Sequence, residues 1–273
     1  MKTLYVTDLD GTLLRSNETT SEFTNQTIND LVRRGMLFSY ATARSYVTSS
    51  KVTCGLNAQI PLIVYNGAFV INHGTHEIMI SNFFEPDVKE ILSELLAHDI
   101  YPIVYAFVDG VEKFTYIDEK CTWGMREYVS TRAGDPRENI VADPSPLFLG
   151  DIFYITCIDT PEKLKPFYEK YKDTTHAIYH NDIYSGAQWL ELMPLAASKS
   201  NAIRQLKALL NCDRLVVFGD GKNDIDMFQL ADESYAVENA APELKAIATG
   251  VIGSNNEDSV AHWLLEHAQL TNG

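Results

Sequence analysis

Two aspartates one residue apart, Asp8 and Asp10, follow the apolar run Leu4-Tyr5-Val6 and precede Gly11-Thr12-Leu13. That order places two carboxylates at the carboxyl end of a buried strand, ahead of a glycine that lets the chain turn sharply. Open α/β sheets bind their ligands along that edge. Two carboxylates about 4 Å apart repel by about 4 kcal/mol at an effective dielectric near 20, so the pair calls for a positive partner, of which a hard divalent ion is the simplest. A second apolar run, Leu215-Val216-Val217-Phe218, ends in Gly219-Asp220-Gly221-Lys222-Asn223-Asp224 and repeats the arrangement. Asp220 and Asp224 add oxygen ligands of the kind magnesium prefers, and magnesium also takes water and phosphate oxygens. Thr42, after Phe38-Ser39-Tyr40-Ala41, and Lys199, opening a helical segment, supply a hydroxyl and an ammonium. Such groups bind the equatorial oxygens of a phosphoryl group in transfer.

Taken singly, each of these residues is ordinary. An isolated Asp-x-Asp-Gly is most often a solvated turn, Thr42 alone a strand-end hydroxyl bonded to backbone, and Lys199 alone an exposed helix residue. Their recurrence in matching strand-end positions makes the set specific.

The elements that must carry them alternate between β-rich and helix-period segments, the pattern of a doubly wound, mostly parallel Rossmann-like sheet in an α/β fold. A strand over 3–7 leads to a helix that Ser21 caps, with Phe23, Ile28, Leu31 and Val32 as its apolar face and Gly35 at its end. A strand over 36–41, a helix from Ser45, a strand over 62–65 and a hairpin around Asn72-His73-Gly74 follow. The middle is richer in aromatics and turn signals: a helix over 86–97, a hairpin around Asp109-Gly110, and strands over 153–158, 176–180 and 188–193. These mark an inserted α+β cap domain at 84–188, with 1–83 and 189–273 forming the core. The α/β alternation resumes with a helix over 198–210, the strand 215–218 and a helix after Asn223. It closes on a helix with Val260, Trp263, Leu264 and His267 on one face.

The segments Asp8 to Thr12, Thr42, Lys199 and Asp220 to Asp224 resemble the four motifs of the haloacid dehalogenase-like hydrolases, over essentially the whole chain. Asn66-Gly67-Ala68, Leu190-Glu191-Leu192-Met193-Pro194 and Asn256-Glu257-Asp258 further resemble the Cof-type subfamily, whose cap lies between the second and third motifs. The resemblance implies a phosphatase in which Asp8 attacks phosphorus while Asp10 acts first as acid and then as base. It implies magnesium held by the Asp8 carboxylate, the Asp10 carbonyl and Asp220, with Asp224 acting through water or by orienting Asp220. Thr42 and Lys199 would grip the phosphoryl group, and Asn66, Gly67 and Asn223 would lie against phosphate or leaving group. The implied substrate is a small phosphorylated metabolite, a sugar phosphate or phosphorylated cofactor. A phosphomutase of the same family and a catalytically silent phosphometabolite sensor are the alternatives. Ala43, Ser200 and Glu238 stand where the family usually has glycine. Arg44 is open between substrate contact and a surface ion pair. The aromatics Tyr105, Phe107, Trp123, Tyr154, Tyr184 and Trp189 are open between a substrate pocket and sheet packing, with packing favoured.

Composition narrows the partners. The 273 residues are 45% hydrophobic, enough for a large core, and the formal net charge of -15 repels nucleic acid and anionic lipid. Cys54, Cys121, Cys157 and Cys212 lack zinc-site or disulfide spacing and read as reduced, mostly buried thiols. The short apolar run after Met1-Lys2 is unlike a signal peptide, and no run reaches a membrane span, so the expected location is cytoplasmic. The pattern carries no signal for oligomeric state.

Overall fold

The computed structural model describes residues 2–56, 61–181 and 186–270. Two compact units divide the chain: Met1–Ser81 with Ala197–Gly273, and Asn82–Ala196.

In chain order the first unit begins with β1 (Thr3–Thr7), α1 (Glu22–Arg33), β2 (Leu37–Tyr40), α2 (Tyr46–Val52), β3 (Leu62–Val64), β4 (Phe69–Ile71) and β5 (Ile78–Ser81). The second unit holds α3 (Val88–Ala97), β6 (Ile103–Val108), β7 (Val111–Ile117), α4 (Trp123–Ser130), β8 (Glu138–Val141), β9 (Asp151–Asp159), α5 (Pro161–Tyr171), β10 (His176–Asn181) and β11 (Gln188–Met193). The chain then returns to the first unit with α6 (Lys199–Leu209), β12 (Arg214–Gly219), α7 (Ile225–Leu230), β13 (Glu233–Ala236), α8 (Pro242–Ile247), β14 (Gly250–Val251) and α9 (Ser259–His267).

The first unit is the expected α/β core. Its main sheet runs β14-β13-β12-β1-β2, and every pairing in it is parallel. Parallel strands covered on both faces should be apolar throughout, and all five residues of β1 are buried, as are Leu215 to Gly219 of β12. Each fully buried Leu, Val or Phe of this kind contributes about 1.5–3 kcal/mol. A bridge between Ala41 and Ile63 carries the pattern on to the antiparallel sheet β3-β4-β5. Ser21 caps α1 by accepting from the Thr24 N–H. The buried stripe of α1 is Thr24, Thr27, Ile28 and Leu31, rotated from the expected face. Phe23 instead stacks on His262 of α9 at 4.5 Å and stays part-exposed, because a neighbouring helix and not the sheet is what it meets. In α9, Val260 and Leu264 are buried, and Trp263 packs against Tyr5, Phe218 and Tyr235.

The second unit is a six-stranded sheet in the order β10-β11-β9-β6-β7-β8. One face buries Val104, Ile155, Leu190 and Leu192 against Leu92 and Leu95 of α3 and Leu164 and Phe167 of α5. On aromatic side chains of its strands, Tyr105 hydroxyl meets that of Tyr128 in α4 at 2.6 Å, and Trp189 lies edge-on to Tyr128. Tyr105 and Tyr154 are buried, Trp123 is exposed, and Tyr184 lies outside the described residues. The turn Asp109-Gly110 has two positive φ values, as the hairpin turn between β6 and β7 requires. The short helix α4 and the edge strand β8 carry no strong period and were not expected from sequence. The expected boundary between 188 and 189 falls inside β11, which pairs with β9 and β10 along its length; the sheet therefore keeps the chain in the second unit to Ala196.

Of the four cysteines, Cys157 alone is buried, while Cys54 is exposed and the others are intermediate, so the expectation of mostly buried thiols is corrected. Burial pushes the Cys157 thiol well up. Among the described residues no helix is long and apolar enough to cross a membrane.

Candidate active site

The parallel registers bring the carboxyl ends of β1, β2 and β12 to one edge of the core sheet. Asp8, just beyond β1, donates its N–H to the Phe218 carbonyl at 2.9 Å, and Ala41 donates to the Thr7 carbonyl at 2.9 Å. Asp8, Thr42 and Asp220 therefore leave adjacent strands on the same side.

Lys199, the first residue of α6, is buried and joins two of the acidic loops. Its Nζ lies 2.6 Å from Asp8 Oδ1 and 2.7 Å from Asp224 Oδ1. Ser198 caps α6 by accepting from the Asn201 N–H, which fixes the helix start. The turn at Asn66-Gly67 seats the same end: Gly67 has φ 97°, and a Cβ there would overlap the Ser198 carbonyl. Asn66 also has positive φ and donates its N–H to the Thr42 carbonyl at 2.9 Å.

Asp224 is fully buried, and its Oδ2 accepts from the N–H groups of Asp220 and Gly221, both at 3.0 Å. The Asp220 carboxylate accepts from Thr12 Oγ1 at 3.0 Å. Gly11 packs on that carboxylate with φ 76°, where a Cβ would collide with it. Carboxylate oxygens of Asp8, Asp220 and Asp224 all lie within 4.8 Å of one another. Two of these three, Asp8 and Asp224, share one ammonium, and Asp220 lies beside them without bonding to it. Burial pushes Asp8 well above the ordinary carboxylate range; Lys199 draws it back, and Asp224 and Asp220 add repulsion. Burial and the Asp224 charge push Asp220 up to about 6. Burial opposes the Lys199 ammonium, but Asp224 and Asp8 outweigh it and hold its pKa above the usual lysine value. An oxygen-only donor set with excess negative charge fits a hard divalent cation.

Asp10 stands apart from this cluster. Its side chain is half exposed, and Arg44 grips both of its oxygens, with Nε at 2.8 Å from Oδ2 and Nη2 at 2.6 Å from Oδ1. Arg44, left open by the sequence, is thus an ion-pair partner of Asp10. Thr42 is buried, and its Oγ1 accepts from the Arg44 N–H at 3.1 Å. Asn223 is exposed in the turn between Asp220 and α7.

Two asparagines brace the Asp10-Gly11 turn from behind. Asn239 Nδ2 donates to the Gly11 carbonyl at 2.8 Å while its Oδ1 accepts from the Asn255 N–H, and Asn255 Nδ2 donates to the Leu14 carbonyl. Arg15 pairs with Asp258 at 2.5 Å. Sequence reasoning gave Asn239 and Asn255 no role; short polar residues at successive strand ends were the available signal. Ala43, Ser200 and Glu238 have no positive φ, so none of these backbones needs the glycine the family pattern offers.

A family model described as haloacid dehalogenase-like hydrolase matches residues 5–264. The chain belongs to the haloacid dehalogenase-like hydrolase family. Among curated members similar to it are two 5-amino-6-(5-phospho-D-ribitylamino)uracil phosphatases of Bacillus subtilis. YitU is 26% identical, with 98% of each chain covered, and YwtE is 28% identical, with 94% of this chain and 95% of YwtE covered. Among solved structures, the X-ray structure of TM0651 from Thermotoga maritima superposes with a TM-score of 0.79 at 27% identity, covering 98% of both chains. This haloacid dehalogenase-like hydrolase is therefore matched from end to end, both units included.

Proposed function

We propose that this hydrolase is a magnesium-dependent phosphatase that removes phosphate from a small phosphorylated metabolite through an aspartyl-phosphate on Asp8. The observation that carries the reading is the buried junction of Asp8, Lys199 and Asp224, with the Asp220 carboxylate alongside. The similarity to phosphatases of a phosphorylated ribitylamino-uracil supports a metabolite of that kind, a sugar phosphate or phosphorylated cofactor.

The Asp8 carboxylate, the Asp10 carbonyl and Asp220 would hold Mg2+, with Asp224 orienting the Asp220 loop through its two backbone N–H contacts. When bound, the ion supplies charge neutralisation for the phosphoryl oxygens and for the carboxylates around it. Asp8 is the nucleophile: its carboxylate oxygen bonds to phosphorus as the ester oxygen leaves. Asp10 gives that oxygen a proton and later takes one from the water that cleaves the aspartyl-phosphate. Lys199 donates to the phosphoryl oxygens while holding Asp8 and Asp224 in place. The Thr42 hydroxyl, whose oxygen already accepts from the Arg44 N–H, turns its proton to the same group. Asn66, Gly67 and Asn223 would contact the phosphate or the leaving group.

Phosphorylated metabolites screened by kcat/KM, with Mg2+ present and after chelation, test the reading. Phosphosugars and phosphorylated cofactors should rank first, and heavy oxygen from labelled water should appear in the released phosphate. Transfer of phosphate back to substrate, without that label, would make the protein a mutase.

A further inference from the structure

The Asp10 carboxylate is half exposed, yet it does not sample solvent unaided. Arg44 meets it with a planar two-nitrogen fork, and the same Nη2 reaches Glu18 Oε2 at 2.9 Å. Exposed ion pairs of this kind add little to stability, but bidentate Arg–carboxylate geometry fixes orientation. The fork is itself held at its base: Arg44 donates its N–H to Thr42 Oγ1, and its carbonyl accepts from the Tyr65 N–H at 2.9 Å. Glu18 is fixed by a local turn, with its N–H on the Arg15 carbonyl and φ 58°. Arg44 is thus anchored at the end of β2 and spans 34 residues to the loop after β1.

Charge gives the contact a purpose beyond packing. Asp8, Asp220 and Asp224 already bring three carboxylates within 4.8 Å of one another, with Lys199 paired to two of them. A fourth carboxylate turning in among them would meet repulsion from each, whereas the guanidinium offers Asp10 a neutralised place at the rim. From this geometry we propose that Arg44 is the positioning residue for Asp10, with Glu18 as the second anchor that sets the fork's plane. The inference rests on the reading of Asp10 as acid and base given above. It goes further in assigning the orientation of that group to a side chain outside the four motifs.

Protonation of the leaving oxygen matters for a poor leaving group and hardly at all for a good one, so phosphorylation of Asp8, read apart from the aspartyl-phosphate hydrolysis that all substrates share, carries a signature that general damage lacks. The rate of Asp8 phosphorylation is followed in acid-quenched single turnovers of the full-length protein with Mg2+ on β-glycerol phosphate and on p-nitrophenyl phosphate, as wild type, Asp10→Asn, Arg44→Gln, Arg44→Lys, Glu18→Gln and the Asp10→Asn/Arg44→Gln double variant. Arg44→Gln is expected to lower that rate on β-glycerol phosphate by roughly 10–100-fold, within the range that general acid catalysis supplies. On p-nitrophenyl phosphate the change should stay under about threefold. Asp10→Asn should show the same split in that rate while losing steady-state turnover on both substrates, because hydrolysis of the aspartyl-phosphate also needs Asp10; the double variant should be no worse than Asp10→Asn alone, and Arg44→Lys should recover part of the loss. Glu18→Gln should give a smaller version of the split. Equal losses of phosphorylation rate on both substrates, or losses that multiply in the double variant, would overturn the inference. Turnover by Asp8→Asn would instead defeat the nucleophile assignment. A leaving-group split in Asp10→Asn that is absent from Arg44→Gln would defeat this inference alone.

Discussion

The Lys199 ammonium lies 2.6 Å from Asp8 Oδ1, joining residues 191 positions apart through two buried side chains. Its second bond, to Asp224, makes Lys199 the link between the loops after β1 and β12. Replacing it with Met should leave the buried carboxylates facing one another without a cation. Breaking a buried pair in this way costs about 3–5 kcal/mol. Urea unfolding of metal-free Lys199→Met should show a loss of that order, and Mg2+ should restore more stability to the variant than it adds to wild type. An unchanged midpoint would mean the junction is not held by charge.

Gly11 offers a backbone test. Its φ of 76° and the Asp220 carboxylate against its α-carbon leave no room for a methyl group. A left-handed residue other than glycine costs about 1–3 kcal/mol, and here Asp220 must also shift. Gly11→Ala should weaken Mg2+ binding by at least roughly tenfold, since ligand displacement by a fraction of an ångström is felt at a hard cation. Calorimetric titration with Mg2+ measures this, and wild-type affinity in the variant would remove Asp220 from the metal site.

These two residues show what could be read in advance. The convergence of Asp8, Asp220 and Asp224 at one sheet edge was legible because each acidic pair follows an apolar strand, and parallel strands fix where their ends go; the turn of the Asp10 side chain away to Arg44 was not. Lys199 was legible through its place in the set. The Arg44 fork on Asp10 was not, because a contact across 34 residues depends on how β2 is set beside β1 and on side-chain direction. The brace of Asn239 and Asn255 escaped for the same reason: amide bonds to the Gly11 and Leu14 carbonyls leave no periodic trace. Strand β11 misled the domain boundary because Leu190 and Leu192 would suit either sheet, and only pairing with β9 and β10 decides.

Glu191 supplies a pH test away from the acidic cluster. Burial raises its pKa; His180 and the Tyr154 hydroxyl, which donates to Oε1 at 2.8 Å, draw it down only in part. An unfolded glutamate titrates near about 4.3. The folded chain therefore keeps this proton to higher pH than the unfolded chain, and the contribution to stability present below the unfolded pKa is lost as pH rises through the folded one. Glu191→Gln keeps an acceptor for Tyr154 and has no proton to lose. Its melting temperature relative to wild type should climb from pH 4 to pH 8, and a constant difference would show that Glu191 ionises without penalty.

Removal of the metal should silence turnover, and Ca2+ should not replace Mg2+. Calcium takes longer bonds and more ligands, about 2.3–2.6 Å against 2.0–2.1 Å for magnesium, so Asp8 would be held in the wrong place for in-line attack. Activity assayed after chelation and readdition of each ion checks this. Full activity in Ca2+ alone would contradict it.

The most direct measurement is acid quenching during turnover, followed by mass spectrometry of the peptide that contains Asp8. The account expects phosphate on that peptide in wild type, carried by the Asp8 side chain, and none in Asp8→Asn, which should be folded and inactive. Turnover by Asp8→Asn, or phosphate found only on another residue, would contradict it.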